Sequence, residues 1–445
     1  MVRSFIPILL VSSMFAQASM FAQEGPALQL SLRRAVEIAT SPEGSARIQL
    51  ASELTRQAEA RSTQARAALL PSLDATVSEQ NLNRSLAAFG FTGALIPGFA
   101  IPPVIGPFNV FDARVSGTQS VFDFSSIWRY QSSKSAVAAA RSDRDNTGDQ
   151  IAAQVAKAYL DALRGQADAE TARANAELAQ ALLDQAERLK TAGTGTGIDV
   201  TRARVELANA RQRVVFSNNQ QRRSRLELLK AMNMRLDANV TLTDQLVYVP
   251  VPPEVLADVK AKALEKRADY RAQLDRQNTA KLSSHATGME RLPSVAAFAD
   301  YGSIGTGINS ALPTRTYGIQ LKVPIFDGGR REGRRAEAES QFRSERIKAN
   351  DLKDEIDLET RLAIDALQSA EEEVKVAAEG LDLAQNELDQ ARRRADAGVA
   401  ISLEVTDAQT RLTRARDNQT QALFHYSQAR IDLGQATGSL RSFLQ

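Results

Sequence analysis

The sequence predicts a mainly α-helical chain, built twice over from long helical hairpins, with four β-strands that are apolar on one face and polar on the other. Three observations carry this. From about Ser120 to Met234, and again from Val323 to Gly438, helical spacing of small and apolar residues runs almost unbroken, with one glycine-bearing turn in each stretch. The two stretches repeat one another. Phe326 and Asp327 answer Phe122 and Asp123 at an offset of 204, while Gly398, Glu404, Val405, Ala408 and Leu412 answer Gly193, Asp199, Val200, Ala203 and Leu207 at 205. Ahead of each hairpin the periodicity switches to two, the mark of half-buried strands.

Of 445 residues, 43% are hydrophobic but only 5% aromatic, so small side chains at close approach must pack the helices. The 55 basic and 53 acidic residues leave a net charge of +2 spread along the chain, which gives no bulk attraction to nucleic acid. With no cysteine, disulfides, thiolate metal sites and a lipidated N-terminal cysteine are excluded. His285 and His425 lack a second ligand at metal spacing and read as ordinary helix residues. No metal, no cofactor and no enzymatic activity is expected.

Residues 1–22 read as a secretory signal: Arg3, the apolar run from Phe5 to Val11, then small residues with cleavage after Ala18 or Ala22. That run is too short to span a bilayer, and no other stretch offers about 20 apolar residues, so entry into a membrane would be by strands. A first repeat, 23–234, begins with a short helix starting at Leu30 and ending at Ser41-Pro42, then a second from Ile48 to Leu70. Leu73, Ala75 and Val77 then alternate with polar residues, as do Phe111, Ala113, Val115, Gly117 and Val121. Between these strands Ser85 to Phe108, with Pro97, Pro102, Pro103 and Pro107, reads as a long outer loop. From Asp123 to Thr191 a helix of about 100 Å is expected, a length no globular domain needs. After the turn at Gly193, Gly195 and Gly197, a return helix runs from Asp199 to Met232. Residues 235–253 form a junction in which Asn239 to Leu242 can add a short strand. The second repeat, 254–438, follows the same order, with strands at Val295 to Tyr301 and Tyr317 to Val323; residues 439–445 are a tail.

Four strands cannot close a barrel, and an open sheet edge cannot lie in lipid, so a membrane-inserted chain must oligomerise. Leu292-Pro293-Ser294 before one strand, Val323-Pro324-Ile325-Phe326-Asp327-Gly328-Gly329 after another, and the tip pattern from Gly398 to Ala408 resemble the TolC-like outer-membrane efflux proteins. Each piece has a counterpart in the first half, and the resemblance spans essentially the whole mature chain. It implies a homotrimer with a twelve-strand barrel in outer-membrane lipid, four strands coming from each chain, above a periplasmic tunnel of helical hairpins. It also implies coupling to an inner-membrane pump through a periplasmic adaptor (membrane fusion) protein. The implied function is a passive exit duct for efflux or type I secretion. The competing expectation is a periplasmic coiled-coil scaffold or tether, which needs no lipid-facing strands.

Candidate site residues follow from this plan. Gly193, Gly195, Gly197 and Gly398 follow long helices rather than strands, so they lack the context of a phosphate loop. They permit tight turns and leave a tip of small side chains that another helical hairpin, such as the adaptor's, can approach. Asp199 and Glu404 open the return helices, and Asp407 lies one turn beyond Glu404. Acids in a first turn offset the helix dipole. In the resembling family the matching carboxylates of the second hairpin face the tunnel entrance, where three-fold symmetry would make them a ring; the resemblance implies tunnel-entrance carboxylates at Glu404 and Asp407, with Asp199 of the first hairpin as a third. The arginine and tyrosine latch of some relatives is replaced here by Ala400 and Ala395. Finally, Arg330, Arg331, Arg334 and Arg335 share a helical face after the last strand. They read either as contacts to headgroups or the tunnel mouth at the membrane boundary, or as a solvated face.

Overall fold

Two helices of 68 and 67 residues dominate the molecule, each about 100 Å long, and every other element is arranged along them. A computed structural model describes residues 28–90, 102–252, 259–397, 399 and 402–443. The expected secretory signal, Pro97, Gly398 and Ala400 lie outside these residues. In chain order the helices are α1 (Leu32–Thr40), α2 (Ala46–Ala67), α3 (Phe124–Thr191), α4 (Gly197–Ala231), α5 (Val259–Lys266), α6 (Ala268–Met289), α7 (Arg330–Asp396) and α8 (Ser402–Ala436). A four-stranded antiparallel sheet runs in the order β2 (Ser72–Ser85), β3 (Val104–Phe122), β5 (Ser294–Gly305) and β6 (Leu312–Lys322). A separate parallel pair joins β1 (Leu28–Leu30) to β4 (Val240–Leu242).

The helices hang beneath the sheet in matching order. The strands β2, β3, β5 and β6 are continuous with α2, α3, α6 and α7, which pack side by side in that sequence. Lower down, α4 packs on α3, and α8 packs on both α3 and α7, giving the order α4, α3, α8, α7. The chain is therefore a wall edged by α7 on one side, where α5 also packs, and by α2 and then α4 on the other.

Duplication extends into the core. Near the first hairpin's tip Ala179, Leu183, Ala186, Val200 and Leu207 are buried together. In the second hairpin Ala384, Leu388, Ala391, Val405 and Leu412 are buried together, each the counterpart of one of the first set at the offset of the sequence repeat. Leu178 and Leu182 of α3 pack onto the second of these clusters, so the two tips lie side by side. At mid-height the largest cluster gathers Leu30, Val36, Val155, Tyr159, Leu228, Met232 and Ile431.

Three expectations are corrected. Leu30 belongs to β1 rather than to the first helix, because Ser31 caps α1 and pairing with β4 draws Leu30 into extended backbone. The loop expected over Ser85 to Phe108 is shorter, because β3 begins at Val104; Gly106 and Pro107 stand opposite the single residue Asn83 at a bulge, where proline's missing N–H costs no ladder bond. At a second bulge between Ser120 and Phe122, Val121 is unpaired, and Phe122 takes the place opposite Val295.

Two tyrosines tie the central segments to the hairpins. The buried Tyr159 hydroxyl donates to the Leu30 carbonyl at 2.8 Å, and Tyr426 donates to the Val249 carbonyl at 2.9 Å. Burial raises both phenol pKa values, Tyr426 to about 12, so both remain donors throughout the physiological range. The Leu30 carbonyl also accepts from the Thr243 N–H at 3.1 Å and so keeps one partner if the phenol is lost. Tyr159→Phe should cost about 0.5–1.5 kcal/mol, the net worth of one hydrogen bond, seen as a lowered chemical-denaturation midpoint with the denaturant slope unchanged.

Candidate functional site

Strand register sorts the sheet into two chemically distinct faces. One row reads Leu73, Gly117, Ala299, Tyr317 and the next Ala75, Val115, Tyr301, Arg315, with Val77, Ile319 and Leu321 on the same face. Leu73, Val77, Tyr317 and Ile319 are between 72% and 77% exposed, a large apolar area with nothing covering it. On the opposite face Asp74, Ser116, Asp300 and Thr316 make one row, and in the row above Arg114 pairs with Asp112 and Asp300 at 2.6 and 3.6 Å. Among the described residues no helix is long and apolar enough to cross a membrane.

The tips show what their residues do locally. Gly193 closes α3 with φ of +76°, and a Cβ on Gly195 would meet the Lys190 nitrogen at 2.9 Å; neither position accepts a side chain freely. Gly197 is different: it is the first residue of α4, with open space around it. Asp199 completes a capping box with Thr196, its carboxylate accepting from the Thr196 N–H at 3.2 Å, so its geometry is that of a helix start. Glu404 instead reaches across the second hairpin to Arg394 at 3.4 Å. Asp407 binds Arg411 at 2.7 Å, and Arg411 also holds Glu387 at 2.9 Å. Beside them Ile198 and Leu403, which occupy equivalent places in the two repeats, stand exposed in the first turns of the return helices. These two were missed in the sequence; helical spacing from the tip glycines marks them.

The four arginines after β6 do not act as one group. Arg331 is folded back, its Nε donating to Asp327 at 2.9 Å and its guanidinium to the Pro324 carbonyl at 3.3 Å, which holds Ile325 and Phe326 outward. Burial pushes the Asp327 carboxyl up, and the Arg331 hydrogen bond and charge more than reverse this, leaving it below the ordinary range. Arg334 joins Arg129 on Glu290, and Arg335 pairs with Glu339 at 2.8 Å. His285 stacks edge-on against Trp128, and His425 meets Glu373 at 3.2 Å.

A two-faced antiparallel sheet standing on paired hairpins about 100 Å long defines a channel subunit that carries its own helical stem. The chain belongs to the outer membrane efflux protein family, whose pattern matches residues 43–234 and 260–439. It is an outer-membrane channel protein of the export class. Among curated relatives it is similar to the alkaline protease secretion protein AprF of Pseudomonas aeruginosa, 22% identical over 72% of this chain and 68% of that protein. It is also similar to the pyoverdine export outer membrane protein OpmQ of Pseudomonas putida, 24% identical over 74% of this chain and 70% of that protein. Its fold matches the outer membrane protein VceC of Vibrio cholerae at a TM-score of 0.77 and 19% identity, over 92% of this chain and 96% of that one. The open-state MtrE channel of Neisseria gonorrhoeae also matches at 0.77, with 16% identity over 99% and 98% of the two chains.

The contrast within the first tip is testable. Gly193→Ala should destabilise the hairpin by about 1 kcal/mol through its left-handed backbone, whereas Gly197→Ala should be neutral or stabilising by helix propensity. Paired thermal melts of the two variants in detergent check this.

Proposed function

We propose that three copies of this chain form a passive exit duct, each contributing its four strands to a twelve-strand barrel in the outer membrane and its hairpins to a periplasmic tunnel. The observation that carries this is the sheet with one apolar face rich in exposed side chains and, among the described residues, two unpaired edges. Water cannot satisfy those edges inside hydrocarbon, and four strands cannot pair with themselves, whereas three copies can. The strands have 14, 19, 12 and 11 residues, and about 9–11 tilted residues suffice to cross a bilayer. A periplasmic tether would have no use for bare Leu73, Val77, Tyr317 and Ile319.

On this reading the two structural repeats are 23–234 and 254–438, joined by a junction over 235–253. The exposed Ile198 and Leu403, with the glycine turn at 193–197, offer a docking face for a periplasmic adaptor's hairpin, through which an inner-membrane pump is engaged. AprF and OpmQ, by name a secretion protein and an export protein, support such a place in an assembly. Glu404 and Asp407, repeated by three-fold symmetry, give the entrance a carboxylate ring, while Asp199 serves mainly its own helix. Arg330, Arg334 and Arg335 lie at the membrane boundary, where Arg331 shapes the loop that presents Ile325 and Phe326.

Detergent-extracted protein should have the mass of a trimer by light scattering; a monomer, or recovery in the soluble periplasm, is the outcome that defeats the proposal. Ile319→Arg near mid-bilayer should cost about 2–4 kcal/mol in folding into lipid, and Gln320→Arg on the polar face far less. In planar bilayers Glu404→Gln combined with Asp407→Asn should reduce cation preference and weaken block by divalent cations. Unchanged selectivity with slightly lowered stability would instead reduce both residues to ion pairs and dipole partners.

A further inference from the structure

We infer that Arg315 binds a phosphate group of an outer-leaflet lipid, with the hydroxyls of Tyr301 and Tyr317 beside it. The inference rests on the reading above, in which the sheet spans the outer membrane, and adds a ligand at one end of its apolar face. Arg315 stands opposite Tyr301 on β5, and Tyr317 follows it by two along β6, so the three side chains leave the same side of the sheet. All three are exposed. The Arg315 guanidinium has no hydrogen-bond or ion-pair partner among the described residues.

Where the face turns polar sets the level of this cluster. Above the row of Leu73, Gly117, Ala299 and Tyr317, the first residue on this side that is neither apolar nor aromatic is Glu79 on β2, Asn109 on β3, Ser303 on β5 and Arg315 on β6. This rim runs oblique to the strand ladder. Arg315 is in register with Val115 and Glu79 with Phe111, four residues apart on β3, and the rim spans three strand spacings. Along the strands and across them the distance is about 14 Å, so the rim crosses the ladder at about 45°, close to the roughly 35–45° by which membrane-barrel strands tilt. Strands tilted in this way hold the rim level in the bilayer. The periplasmic helices join the opposite end of the sheet, so the rim meets the outer leaflet.

Arg315 is the only cation of this rim, and the rows between it and the base of the sheet carry no charge. An arginine is costly at mid-bilayer and nearly free at the boundary, where headgroup phosphates lie. There its planar fork matches two phosphate oxygens, the phenols supply further donors, and the bare Tyr317 and Ile319 offer a surface to the acyl chains. A phosphorylated lipid satisfies both the charge and the apolar surface below it, whereas a free anion satisfies only the charge. The rim's other charge, Glu79, lies on the opposite edge strand, so Glu79 of a neighbouring copy is the competing partner.

The probe is bis-phosphorylated lipid A, titrated into the full-length protein in neutral detergent and counted by native mass spectrometry. Arg315→Gln should weaken binding by about tenfold, the worth of one charge-assisted contact, and Arg315→Lys should weaken it less. Dephosphorylated lipid should not distinguish parent from Arg315→Gln, and excess inorganic phosphate should not displace the bound lipid. Equal binding of lipid A by parent and Arg315→Gln overturns the inference, and so does displacement by inorganic phosphate, which would make this a site for free anions. A loosened trimer in Arg315→Gln with lipid binding intact would give the arginine to Glu79 of a neighbouring copy and overturn it as well. Recovery of the parent in the soluble periplasm would instead remove the membrane reading itself.

Discussion

Backbone N–H and C=O groups along the outer edges of β2 and β6 have no ladder partner among the described residues, and hydrocarbon contains no water to supply one. Once the sheet lies in the outer membrane, this requirement governs the rest of the molecule. On the proposed reading it forces association, and it fixes which sides associate, because only the two sheet edges can continue the ladder. The helices beneath inherit the arrangement, since each strand is joined to the helix below it directly or by a short segment and any closure of the sheet brings the margins of the wall together. An edge that is a hazard in a soluble protein is here the element of assembly.

The wall can be this long because its core is made of small side chains. Ala179, Ala186, Ala384 and Ala391 sit between the antiparallel helices near the tips, with Leu183 and Leu388 filling between them. Helices of 68 and 67 residues draw little stability from propensity alone and depend on such a seam along their length. The seam recurs in the second hairpin at the same offset as the sequence, so duplication preserved packing partners as well as residue types.

Most of this architecture was legible because its periods are long and its alternation clean. The strand at Tyr317, Ile319 and Leu321 and the two long helices needed only local spacing. Much of what the sequence concealed depends on residues far apart in the chain or on the path of a loop. Leu30 reads as helical until β4, far along the chain, draws it into a strand. The Arg330 to Arg335 cluster has perfect helical spacing, yet Asp327 and Pro324 turn Arg331 inward, and Glu290 takes Arg334. At the tip the carboxylates were visible as residue types; Arg411 reaches Asp407 along one helix, while Arg394 met Glu404 and Arg411 met Glu387 only once the hairpin was closed. Asp199 was the exception: a threonine one turn before an acid at a helix start is a local signal, and the capping box formed.

The pairing of β1 with β4 has a consequence for the order in which the chain takes shape. Leu32 donates to Asp244 across 212 residues, and the intervening segment includes the whole first hairpin. Closing so large a loop is entropically unfavourable until α3 and α4 have brought its ends together, so the short strand β1 forms a clasp that fastens late. A chain emerging amino-terminus first thus exposes the clasp earliest and uses it last. During that interval Leu28 and Leu30 are unprotected strand residues, and the rate at which the hairpin zips sets how long they stay so.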